Sequence, residues 1–193
     1  MSAPVPPIML DFPESFETER LFIRTALPGD GAEMNAAMAE SVEALAPWMP
    51  FVHPMPSPEQ SEQYVREARV RYLERTELHM QLYDKQTGAF IGCSGAHTID
   101  WELRNFEIGY WIRTSCSGKG YIAEAVNKLT ELLARDFDAN RIEIRCSGKN
   151  RKSAAVAERA GFKLDGVLRN NRKGIDGELQ DSLVYAKVRG QDF

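Results

Sequence analysis

The stretch Glu107–Glu124, EIGYWIRTSCSGKGYIAE, carries the residues best suited to chemistry. Gly118, Gly120 and Ala123 open a helix directly from a turn of small residues, Thr114–Gly118. The first turn of a helix has unpaired N–H groups and a partial positive charge, so it favours an anion such as phosphate. Glycine lets that anion approach the backbone with no Cβ in the way. Upstream stands Glu107, a carboxylate that serves either as a proton acceptor or as the structural partner of a nearby arginine. The spacing GKGYIA also matches a dinucleotide fingerprint. Two features oppose that match. About a hundred residues precede it where a first strand should, and Arg145-Cys146 stands where an acid is due at the end of the next strand. A P-loop is excluded, because no G-K-[ST] occurs.

The elements that must hold these residues read as follows. A strand over Phe106–Arg113 leads into the turn, with Phe106, Ile108, Tyr110 and Ile112 on one face. Asn105, Glu107, Gly109, Trp111 and Arg113 share the other face. The helix runs to about Phe137, because Ile122, Ala125, Val126, Leu129, Leu132, Leu133 and Phe137 form one apolar stripe. A strand over Arg141–Cys146 then implies a parallel pair with a right-handed crossover. A helix over Asn150–Ala160 stops at Gly161; a strand over Phe162–Leu168, a polar loop over Arg169–Gln180 and a last strand over Asp181–Val188 follow.

Upstream, Arg20–Ala26 alternates as a strand, and residues 31–46 read as a helix behind Pro28, Gly29 and Asp30. Residues 46–58 hold Pro47, Pro50, Pro54, Pro56 and Pro58, which impose an extended loop. Its Trp48 and Phe51 are candidates for a substrate wall, or plugs of the core. Ser57 and Gln60 cap a helix to about Arg75, with Tyr64, Ala68 and Tyr72 on one face. His79–Tyr83 and Phe90–Thr98 pair as a hairpin around DKQTG.

The 193 residues, 43% hydrophobic and 27% charged, suit one soluble globular domain. A net charge of −4 argues against a nucleic-acid binder. No apolar run is long enough to span a bilayer, and Met1–Asp11 lacks the basic region of a signal peptide, so the expectation is a tail before a cytoplasmic domain. Cys93, Cys116 and Cys146 are odd in number and widely spaced, and His53, His79 and His97 are scattered, so neither disulfides nor a metal site is expected.

EIGYWI, GKGYIAEA, NRKSAAVAERAGFKLDG and a late D-x-x-x-YA, in that order, resemble the GNAT acetyltransferases. ETERLFIR and PWMPFVHP look more narrowly like the RimJ/RimL type, which acetylates protein N-terminal amines, including those of ribosomal proteins. The resemblance implies a GNAT fold, an α/β (α+β) single domain over 18–193 behind a tail over 1–17. It implies a strongly twisted mixed, mostly antiparallel sheet of about seven strands, splayed between parallel strands 106–113 and 141–146, with helices on both faces. The implied cofactor is acetyl-CoA. Backbone groups of Trp111, Ile112 and Arg113 would pair with its pantetheine arm as an added strand. Gly118, Lys119, Gly120 and Tyr121 would hold the pyrophosphate, and Asn150 the pantetheine. Ser153 falls at the position of the proton donor to the leaving thiolate, and Cys146 at a position near the cofactor sulfur or in the core. Lys149, Arg151 and Lys152 suit the remote phosphate or a solvated surface. Ser115 replaces the family's Arg/Gln before the glycines, which removes a side-chain contact and leaves Lys119 to supply charge.

Acetyl transfer needs a neutral amine. Neutralising an α-amine of pKa about 8 at pH 7 costs about 1 kcal/mol, against nearly 5 for lysine. Glu107 is the candidate base, with Asn105 beside it on the acceptor side. At the glutamate position some RimL-like enzymes place before the last strand, this chain has Lys173, with Asp176 and Glu178 nearby. The expected acceptor is a protein N-terminus, with a small-molecule amine or a non-catalytic coenzyme A sensor as the rivals. A homodimer is left open.

Overall fold

The computed structural model describes residues 5–193. The chain runs β1 (Ser15–Glu17), β2 (Leu21–Thr25), α1 (Gly31–Leu45), α2 (Pro58–Glu74), β3 (Leu78–Asp84), β4 (Phe90–Asp100), β5 (Asn105–Ile112), α3 (Tyr121–Asp136), β6 (Arg141–Ser147), α4 (Arg151–Arg159), β7 (Lys163–Lys173) and β8 (Leu179–Val188). One eight-stranded sheet has the order β1-β2-β3-β4-β5-β6-β8-β7. Its ladders are antiparallel except for β5 and β6, which α3 joins as a parallel crossover.

That parallel ladder is short. It covers Asn105–Glu107 against Arg141–Glu143 and then stops. Beyond it β5 stays on β4 as far as Ile112, while β6 stays on β8 as far as Ser147. Each strand follows its outer neighbour, so the pair splays and a gap opens in the middle of the sheet.

Helices cover both faces. The stripe of α3 packs on one face, with Val126 and Leu133 fully buried and Leu129 nearly so, against Phe106, Ile108, Ile142 and Ile144. Burying one such side chain contributes about 1.5–3 kcal/mol, so this stripe fixes where the glycine turn sits on the sheet. On the other face, α1 and α2 pack Met34, Met38, Val65 and Ala68 over Phe90, Cys93 and Trp111. The capping box of α2 forms as its spacing predicts, with Ser57 accepting from the Gln60 amide and Gln60 from that of Ser57.

Two sequence expectations change. The polar loop over 169–180 is largely strand, since β7 extends to Lys173 and β8 begins at Leu179. The register shifts between Leu168 and Arg172, with Asn170 left-handed at φ 52°. Polar residues persist there because β7 is an edge strand facing water. The tail over 1–17 also changes. Ser15–Glu17 pairs with β2 as an eighth strand, Phe12 is buried, and the Tyr72 hydroxyl donates to the Phe12 carbonyl at 2.7 Å. Three residues are too few to show alternation in sequence. Residues 1–4 of that tail lie outside the described residues.

Candidate active site

The splay, the glycine turn and α4 together form a groove of about 350 Å³. Arg113 donates its amide to the Ile91 carbonyl at 2.8 Å. Backbone direction alternates along a strand, so Gly109 and Trp111 also turn toward β4, and Tyr110 and Ile112 turn toward the gap. Ile112 therefore offers its amide and carbonyl to a ligand in the gap, as does Tyr110, which the sequence reading left on an apolar face. Trp111 lines the groove through its side chain, whereas Arg113 lies outside it and pairs with Glu40.

At the outer end, Gly118 and Gly120 adopt φ 81° and 85°, where a Cβ would strain the chain. Gly120 is the N-cap of α3, no side chain caps the helix, and its carbonyl accepts the Glu124 amide at 3.1 Å; the amides of the first turn, ahead of that bond, are left for an anion. Gly118, Gly120 and Tyr121 line the groove. Lys119 contributes a carbonyl that accepts from Arg20 at 2.9 Å; its side chain is not in the lining. Arg20 also stacks over the Tyr121 ring at 4.6 Å and bonds Glu124 at 2.7 Å, while Tyr121 donates to Asp84 at 3.1 Å. This cation was missed because it lies about a hundred residues away in the chain. Ser115 donates its amide to Glu40 at 3.0 Å, and Arg113 and that bond hold the Glu40 carboxyl down at about 2. The turn is thereby tethered to α1.

On the inner side, the Asn150 side chain caps α4, accepting from the Ser153 amide at 3.1 Å. Its NH2 group remains free to donate into the groove that it lines. Ser153 lines the same groove, and its Oγ lies 3.0 Å from the Tyr110 hydroxyl. Tyr110 also donates to the Ser153 carbonyl at 3.0 Å, and burial pushes its hydroxyl pKa up. Lys152 and Arg159 line the groove, whereas Lys149 and Arg151 do not. Cys146 is buried in the core below, outside the lining, and its thiol pKa is raised by burial.

A second cleft of about 360 Å³ lies on the α1–α2 face. Met34, Met38, Met49, Phe51 and Pro56 form its apolar wall. Its floor is the β3–β4–β5 row His79, Gly95 and Gly109, which stand directly opposite one another in register. The two clefts share Met49, Tyr110 and Trp111, so they meet at the splay.

The proline-rich loop is divided between them. Phe51 lines the second cleft, but Trp48 lines the groove, where its carbonyl accepts from Arg172 at 3.3 Å. Glu107 lines neither cleft. It faces His97 across the β4–β5 ladder and lies 3.7 Å from Arg145, the arginine pairing that its sequence context allowed. Burial raises its pKa against the pull of His97 and Arg145. The His97 ring rests on Gly109, where an added Cβ would meet Nε2 at 2.7 Å. Asn105 sits at the start of β5, outside both clefts, with Oδ1 buried and without a partner among the described residues.

A splayed parallel pair beside a left-handed glycine turn and a free helix N-terminus suits a long thiol cofactor that carries a diphosphate within its length. Residues 20–163 match the family model of the acetyltransferase (GNAT) domain, and the chain belongs to that family. It is an N-acetyltransferase that uses acetyl-CoA, and the groove residues fit that molecule. The chain is 29% identical over 173 residues to "Putative ribosomal N-acetyltransferase YdaF" of Bacillus subtilis (strain 168), covering 89% of this chain and 92% of that one. It is 31% identical over 116 residues to the ribosomal-protein-serine acetyltransferase of Escherichia coli (strain K12), 58% of this chain and 64% of that one. The solved structure of RimL, a ribosomal L7/L12 alpha-N-protein acetyltransferase in complex with coenzyme A, has the same fold at TM-score 0.83 and 21% identity, covering 89% and 95%.

Proposed function

We propose that the acceptor is the N-terminal α-amine of a protein or peptide, in the cytoplasm, with a ribosomal protein as the model substrate. The observation that carries this reading is the second cleft. It opens on the splay, its wall is apolar, and its one carboxylate, Glu77, is tied to Arg71 at 2.7 Å. An α-amine, which costs about 1 kcal/mol to neutralise at pH 7, suits a site with no free carboxylate beside the junction among the described residues. The relatives named for ribosomal-protein acetylation support the same choice.

Acetyl-CoA, when bound, supplies an acyl carbon activated as a thioester. Tyr110 and Ile112 offer backbone groups to it, Asn150 its side-chain amide, and Gly118, Gly120 and Tyr121 the diphosphate seat. Ser153, backed by the Tyr110 hydroxyl at 3.0 Å, holds the proton for the departing sulfur. On the acceptor side, Glu107 takes the amine proton at one remove, through His97 and water.

The test is thiol release from acetyl-CoA against a library of N-terminal peptides and small amines. Peptides acetylated at least ten-fold faster than every amine support the reading. Faster turnover of an antibiotic or polyamine overturns it, and tight acetyl-CoA binding without turnover marks a sensor.

A further inference from the structure

His79 sits on β3 in the floor of the acceptor cleft and is only 8% exposed. Its Nδ1 lies 3.3 Å from the Tyr64 hydroxyl, and the two rings meet edge to face at 5.3 Å. Its Nε2 is buried and has no hydrogen-bond partner among the described residues. A buried polar atom of this kind normally finds a partner, and leaving it without one is costly. The cleft it lines is where that partner would enter.

The local chemistry decides what the partner is. Burial pushes the imidazole down to about 4, so the ring is neutral and carries one proton. The Arg71 guanidinium, a donor only, lies over the Tyr64 ring at 5.2 Å, and its hydrogen bond to the phenol oxygen leaves the phenol proton for Nδ1. Nδ1 then accepts from Tyr64, and Nε2 keeps the proton. The unmatched group is a donor, and the missing ligand atom is an oxygen acceptor.

The register sets its distance from the reacting nitrogen. His79, Gly95 and Gly109 form a row across β3, β4 and β5 in which the two glycines add no side chain of their own, and the His97 ring lies against Gly109 at the β5 end. Two strand spacings make about 10 Å, measured from the strand that borders the splay. An acceptor lying along this row has its amine at the junction of Met49, Tyr110 and Trp111 and a second peptide unit over His79. A hydroxyl on the first side chain is too close to the amine to reach it.

Resting on the reading of this cleft as the seat of a peptide N-terminus, we propose that the Nε2–H of His79 donates to the second main-chain carbonyl of the acceptor, and so selects peptides over simple amines. The probes are an alanine tetrapeptide amide and its analogue with a trans-alkene in place of the second peptide bond. Both keep the same α-amine and first peptide unit, so their amines ionise alike. The wild type should acetylate the peptide roughly 10- to 100-fold more efficiently, the cost of one unmet buried donor. His79→Phe keeps the ring and loses the donor, and should treat the two probes alike; His79→Gln should restore part of the preference. Equal rates in the wild type, or full discrimination in His79→Phe, overturn the proposal.

A second measurement does not need turnover. Imidazole 15N–1H correlation spectra of the wild-type protein should show the proton on Nε2, with its resonance shifted when the tetrapeptide amide is added. A proton on Nδ1, or a resonance unmoved by the peptide, overturns the role of His79. Acetylation of small amines alone, with Nε2 protonated but the resonance unmoved by peptide, would instead defeat both this proposal and the peptide reading.

Discussion

His79 also makes stability depend on pH, and the size of that dependence follows from its burial. The folded imidazole is held at about 4, mainly by desolvation, with Arg71 lowering it further and Glu77 and Asp30 pulling the other way. An exposed imidazole titrates near about 6.5. Between these values the unfolded chain binds a proton that the folded chain refuses, so stability rises with pH across this window. The contribution is fully present above about 6.5 and is lost as pH falls toward 4. Some 2.5 pH units at about 1.36 kcal/mol each amount to roughly 3 kcal/mol. For a chain of this size that corresponds to roughly 6–12 °C in melting temperature. Urea unfolding of the wild type and His79→Phe at pH 7.5 and pH 4 measures it. The wild type should lose about 3 kcal/mol more than the variant. Glu107 is the control, because its raised carboxyl works with the opposite sign: its stabilisation holds at low pH and is lost as pH rises through its folded value. A His79→Phe protein with the same acid loss as the wild type would refute the claim that this ring is buried neutral.

Other expectations concern the groove and the core. Ser153→Ala should lower kcat about 10- to 100-fold with KM for acetyl-CoA nearly unchanged, and Tyr110→Phe should add little to it, because the two hydroxyls act as one unit; steady-state kinetics of both singles and the double variant decide this. Gly120→Ala forces a Cβ onto a residue at φ 85° and should cost about 1 kcal/mol of stability while weakening acetyl-CoA binding in calorimetry. Leu129→Ala, in the stripe of α3, should lose about 3 kcal/mol in chemical denaturation, since the side chain is 1% exposed and leaves a cavity. Arg145→Ala removes the cation nearest Glu107 and should raise the apparent pKa on the acid limb of kcat/KM; an unmoved limb excludes Glu107 as the proton acceptor.

The sequence by itself determined the local elements and the glycine turn that opens α3. The α3 stripe, the capping box of α2 and the glycine turn each depend on residues within a turn or two of one another, so spacing alone reveals them. The family resemblance rested on those same short motifs and correctly named the cofactor. Tertiary structure decided which neighbours each side chain keeps. Tyr110 belongs to an apolar face by alternation, yet it lines the groove because β6 leaves β5 after Glu107 and uncovers it. Trp48 and Phe51 stand three residues apart and fall in different clefts. Glu107 meets His97 and Arg145 instead of the junction, and Arg20 reaches the glycine turn from the start of β2, three strands from β5. Each of these depends on where separate strands part or meet, and that is settled by packing between residues far apart in the chain, to which a local period carries no signal.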